Sequence, residues 1–225
     1  MPPELDTFDC RVDLPGWRLH LASLTVARDR DLGNVMDVAT RGALSELKRS
    51  FPDGRLEAHA TISALRDRLP ELGCNPDTTP PCSELLLSAI TAAGGIHRGC
   101  LAWEFLSMLT IRSAAPWTVL DRRSLRTPLV FRPGETGETL PQADGRFDCA
   151  GLPVLADQAG VKASPWTLGA PEALQDLNEV VFLCFLPADL FRSVNPRNHL
   201  GRVVWLTWAY RFVFERTCRF REQAG

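Results

Sequence analysis

Residues 129–156 read LVFRPGETGETLPQADGRFDCAGLPVLA. A short apolar run begins at Leu129 and ends in Arg132. Pro133, Gly134 and Gly137 then build a turn, because proline fixes φ and glycine accepts the positive values that turns need. Glu138 and Leu140 follow, then a second turn at Asp144-Gly145. A second apolar run, 152–156, closes on Asp157. Short apolar runs cut by Gly, Pro and Asp predict strands, and this texture holds from Pro116 to Trp166.

Upstream of Pro116 the pattern is different. Residues 17–27 (WRLHLASLTVA) predict a first strand. Helices are predicted over 34–49, over 56–72 with Pro70 in the last turn, from Cys82 or Ser83 to Gly94-Gly95, and over 101–111. Downstream, 171–175 predict a short helix with proline near its first position. The wholly apolar run 180–186 predicts a buried strand. Pro187 opens a short helix that Asn195-Pro196 breaks, and a last helix is expected from Gly201 to about Gln223. Helices before Pro116 and strands after it predict one α+β domain spanning 1–225, with helices around a mixed or antiparallel sheet.

Composition narrows the function classes. The 225 residues are 45% apolar and 23% charged, with a net charge of −2. That balance fits an ordinary globular chain with a core of its own and gives no global footprint for nucleic acid. DNA and membrane are not expected partners. Seven cysteines form no C-x-x-C pair, which suggests reduced thiols and a cytoplasmic location. MPPELDTFDC lacks the pattern of a secretory signal. The densest apolar run, 203–214, is short for a membrane span and carries Arg211.

The order Arg132, Gly137-Glu138, Asp144-Gly145, Ala156-Asp157 resembles that of the editing module, the B3/B4 domain, of the phenylalanyl-tRNA synthetase beta subunit. The likeness extends to Leu72-Gly73-Cys74-Asn75-Pro76 and Pro81-Cys82-Ser83-Glu84-Leu85, which are similar to the turn and helix start of free-standing B3/B4 proteins. It continues through Pro116 and Asp121 and through VVFLCFLPADLF, covering roughly 56–218. The resemblance implies a pocket for an amino acid, which in the synthetase arrives attached to tRNA and is hydrolysed from it. It places that pocket between the 101–111 helix, the 116–121 segment and the 160–166 loop. Trp103, Trp117, Gly160, Val161, Ala163 and Trp166 are then the ligand-binding candidates.

The synthetase pattern carries a His between its Pro and Asp, where this chain reads Thr118. The late-strand Glu and the Thr-Asn pair of the synthetase have no counterpart here. Glu104 and Thr118 are the remaining catalytic candidates, with a water held between them. Glu104 in AWEFLSML has two readings: a carboxylate facing the pocket and holding a ligand amine, or a solvated face position. The three tryptophans likewise read either as walls of a pocket for a flat or apolar ligand or as core. Arg132, Glu138 and Asp157 are supporting residues, with Arg132 expected to pair with Glu138 or Asp157. The four histidines fit no metal motif, and no cofactor is implied. Arg122, Arg123 and Arg126 offer either a phosphate contact or a solvated face.

The expected function is binding of, or action on, a small amino-acid-derived ligand by a B3/B4-like protein diverged from editing. The alternatives are a trans-editing hydrolase of mischarged aminoacyl-tRNA and a non-catalytic tRNA-binding module.

Overall fold

The computed structural model describes residues 10–25, 32–98, 100–142, 145–169, 171–174, 177, 179–208 and 220–224. Strand β1 (Cys10–Val12) is followed by β2 (Trp17–Thr25) and helix α1 (Leu32–Ser50). Helices α2 (Ala60–Arg68), α3 (Cys82–Ala93) and α4 (Leu101–Ser113) come next. Strands β3 (Trp117–Asp121), β4 (Leu129–Pro133), β5 (Thr139–Gln142), β6 (Gly145–Asp148), β7 (Pro153–Asp157), β8 (Gly160–Ala163) and β9 (Glu179–Pro187) follow. Helices α5 (Ala188–Val194) and α6 (Pro196–Trp208) and strand β10 (Phe220–Ala224) complete the order. The protein is α+β.

Two four-stranded sheets carry the fold, ordered β10-β2-β9-β3 and β1-β4-β7-β8, with β5 and β6 as a separate pair. The first sheet is antiparallel throughout, whereas the second is mixed because β1 runs parallel to β4. Trp117, Cys184 and His20 lie in one cross-strand row, and Val119, Phe182 and Ala22 in another. Directly opposed residues share a face, and Phe182 meets Phe105 of α4, so this is the helix-facing side. Rows of the opposite parity hold Thr118, Leu183 and Leu21, as well as Leu19 and Phe185. Phe185 meets Phe131 of β4. The second sheet therefore covers the other side, giving three layers: helices, sheet, sheet. One continuous buried cluster runs from Cys10 to Val203 through all of them.

Helices α3 and α4 form where the apolar periodicity placed them, and both end on left-handed caps, Gly94 and Ala114. The single helix expected over 56–72 is instead three pieces: a 3-10 turn at Leu56–Ala58, α2, and a 3-10 turn at Pro70–Leu72. His59 is extended, and its ring Nδ1 accepts the Thr61 N–H at 3.2 Å, so it caps α2 rather than continuing a helix. Pro70 lacks an N–H and cannot extend the α ladder. Asn195 ends α5 in the left-handed region at φ 47, and Pro196 opens α6.

The long terminal helix expected to about 223 is also corrected. Residues 220–224 form β10, which pairs with the edge of β2. That edge needs partners for its N–H and C=O groups, and tertiary pairing overrides the local helical pattern. Residues 209–219 lie outside the described set, as do the N-terminal segment 1–9, Asp144 and Gln175 from the expected turn and helix, and Cys218. The six described cysteines are free thiols. No helix among the described residues is long and apolar enough to cross a membrane.

The turn at Pro133, Gly134 and Gly137 has a steric requirement. A Cβ on Gly134 would lie 2.0 Å from the Cys149 carbonyl oxygen. The neighbouring backbone is held in place, because Gly134 N–H donates to Leu152 O and Gly151 N–H donates to Gly134 O, each at 2.8 Å. Gly134→Ala is expected to cost about 1–3 kcal/mol through overpacking against fixed backbone. Urea denaturation checks it; an unchanged midpoint would contradict the close approach.

Candidate functional site

Helix α4 is apolar almost all round because it is buried almost all round: 11 of its 13 residues lie in the interior. Glu104 is one of them, 3% exposed. A buried carboxylate is expensive unless a positive group meets it. Arg98 does so from the segment between α3 and α4, with Nη1 3.2 Å from Glu104 Oε2. The same guanidinium donates to Thr40 Oγ1 at 2.7 Å and to the Met36 carbonyl at 3.4 Å. Its Nη2 bonds the Asp37 carboxylate. Acceptors on α1 and α4 thus converge on one cation. One turn beyond Glu104, the fully buried Ser107 Oγ has no hydrogen-bond partner.

Thr118 is also buried, but it belongs to the opposite side of the central sheet. Its cross-strand partner is Leu183, whose row faces the second sheet. Glu104 rides on the helix that packs against the other side. The expected water shared by Glu104 and Thr118 has no place in this arrangement. The reason is the period of two of a strand, which sends neighbouring side chains to opposite faces.

The tryptophans are dispersed for the same reason. Trp117 faces the helices, sits edge-on to His20 with ring centroids 6.1 Å apart, and donates its Nε1–H to Ser113 Oγ at 3.0 Å. Trp166 packs edge-on against Trp17 at 5.8 Å, and Trp17 in turn meets Phe131, on the side of the second sheet. Both indoles are essentially unexposed, and Trp103 on α4 is 6% exposed. They are core residues and do not wall one pocket. Gly160 sits at φ +118 in the turn that starts β8. Val161 packs with Leu140, Cys149 and Val154 under the β5–β6 pair, whereas Ala163 joins the main core. The expected ligand-binding residues are therefore spread over different layers.

The supporting residues come together in part. Arg132 makes two bonds to the Glu138 carboxylate, at 2.8 and 2.7 Å, and Glu138 also accepts the Glu135 N–H at 2.7 Å. Hydrogen bonding from Arg132 holds the Glu138 carboxyl below the usual carboxylate range. Asp157 is not in that pair. Burial works against its charge, but the N–H groups of Arg126 and Ala159 and the nearby Lys162 ammonium hold its carboxyl low. These contacts fasten the β4–β8 region and its turns. Arg123 and Arg126 are exposed, the first in the turn capped by the Asp121 carboxylate and the second just beyond it.

A surface hollow of about 320 Å³ lies elsewhere, between the end of α1 and the start of α2. Phe51, Asp53, Arg55 and His59 line it. No group of three His, Cys, Asp or Glu residues among those described is placed to hold a metal ion.

Arg98, Asp37 and Thr40 escaped the reading of the sequence. The only signal for them was Glu104 itself: an acidic residue in the first turns of a largely apolar, buried helix calls for a cation from elsewhere in the chain. Comparison with protein-family models finds no match to this sequence, and comparison with curated proteins finds none either.

Proposed function

We propose that this protein binds a small amino-acid-derived ligand through the ligand's amino group, on a B3/B4-like framework that has departed from aminoacyl-tRNA editing, and that it does so in the cytoplasm. The observation that carries the reading is the buried Glu104 carboxylate, reached from the surface through the half-exposed Arg98. A carboxylate withheld from water and surrounded by further acceptors recognises an ammonium far better than one on the surface. The separation of Glu104 from Thr118 across the central sheet argues against a jointly held hydrolytic water. It favours ligand recognition over ester cleavage.

Thermal unfolding in the presence of amino acids, their amides and esters, and the N-acetylated counterparts tests this, since a ligand of the native state raises its stability. Free-amine ligands are expected to raise the melting temperature in a saturable way, and the acetylated ones are not. Glu104→Gln should abolish the response. Deacylation of mischarged tRNA is the second arm. Fast, salt-sensitive turnover by the unmodified protein would overturn the proposal and favour trans-editing, and salt-sensitive tRNA binding without turnover would favour the binding module.

A further inference from the structure

We infer that Arg98 occupies the amine subsite of this protein as a built-in surrogate ligand, so that a ligand's cation enters only when the Arg98 side chain withdraws. The inference rests on the amine-binding reading above and adds the identity and gating of the subsite.

The cage is built from two helices, not from the segment that fills it. Asp37, Thr40 and the Met36 carbonyl come from α1, and Glu104 comes from α4. The four acceptors surround one cation with several N–H donors. Both guanidinium and primary ammonium groups have that character. Two of those acceptors are carboxylates, Asp37 and Glu104. Cations are therefore favoured there, and a neutral or anionic group is not. Ser107 adds a further polar atom. Its hydroxyl is fully buried without a partner and lies at i+3 from Glu104, hence on the same helix face.

The gate follows from the exposure gradient. Glu104's side chain is 5% exposed, Arg98's 39% and Asp37's 47%. The cage thus opens to solvent on the side where Arg98 and Asp37 stand, with Glu104 at its floor. Arg98 sits between α3 and α4, where residues 96–98 belong to no helix or strand. Its flexible side chain can rotate outward without breaking a backbone ladder. A competitor must then displace an intramolecular cation, which lowers the apparent affinity of any amine ligand by the fraction of time the cage is open.

Arg98→Ala tests the inference directly, with methylguanidinium as the probe. The variant should melt lower than the unmodified protein, and millimolar methylguanidinium chloride should restore much of that loss in a saturable manner. Sodium chloride at equal ionic strength should not. The unmodified protein should respond at least roughly tenfold more weakly, because its cage is filled. The double variant Arg98→Ala with Glu104→Gln should lose the rescue. Arg98→Gln, which retains more of the side chain's packing, serves in its place if Arg98→Ala does not fold. Equal responses from the single and double variants, or no rescue at all, would overturn the inference. Rescue by methylguanidinium with no amino-acid-derived ligand bound by either protein would leave the cage standing and sink the proposed function instead. An amine ligand bound equally well with and without Arg98 would uphold the function and overturn the gate.

Discussion

Trp117→Ala is expected to lower the unfolding free energy by about 3–5 kcal/mol, the range for truncating a large buried aromatic. Trp117 is fully buried near the centre of the fold. Its ring meets His20 edge-on, and its Nε1–H donates to Ser113. Its own carbonyl accepts the Cys82 thiol at 3.6 Å. Helices α3 and α4 and strand β3 therefore meet on this one residue, and little can collapse into the space its removal leaves. Trp117→Phe keeps most of the bulk but loses the Nε1–H bond. Ser113 still bonds Leu109 O and the Ala115 N–H, so the smaller change should cost only about 1–2 kcal/mol. Equilibrium denaturation separates the two. A loss under about 1 kcal/mol for Trp117→Ala, together with loss of ligand binding, would return this residue to a pocket wall.

The second large effect is on acid stability, and it belongs to His20. This imidazole is buried between Trp117 and Phe191. Burial, aided by the charge of Arg197, holds its pKa down from 6.5 to about 4. Between those two values the unfolded chain binds a proton that the folded chain refuses. Stability therefore falls as the pH drops through that window and is unaffected by His20 above it. The gap corresponds to roughly 3 kcal/mol once the pH is below about 4. His20→Gln removes the titration, and carboxylates elsewhere act equally on both proteins. Between pH 7 and 4.5 the unmodified protein should lose roughly 2–3 kcal/mol more than the variant. Parallel stability curves for the two would show that His20 is protonated in the fold.

Much of the architecture was legible because the signals were local. The apolar run 180–186 within β9, the Gly94 stop of α3 and the Asn195-Pro196 break each depend on a few adjacent residues. What failed was long-range. Nothing near residue 220 announces that it will pair with Arg18 to Ala22, so a helical pattern stood in for β10. The His59 cap looked like one more residue on a helix face. Glu104 drew notice through its apolar surroundings, but its partner Arg98 lies in a segment with no periodicity to read. Trp117 and Thr118 are neighbours in a strand, and strand alternation alone forbids them a common pocket.

Strand β2 sits between β9 and β10, pairing along its whole length with Glu179–Pro187 and at one end with Phe220–Ala224. Both partners are made more than 150 residues later. While the nascent chain emerges from the ribosome, the apolar β2 segment waits unpaired until β9 has cleared the exit tunnel. Such distant pairings are slow to form and leave strand edges open meanwhile. The central sheet is therefore completed only once residues 220–224 have been made, and yield in cells will depend on how well that waiting segment is shielded.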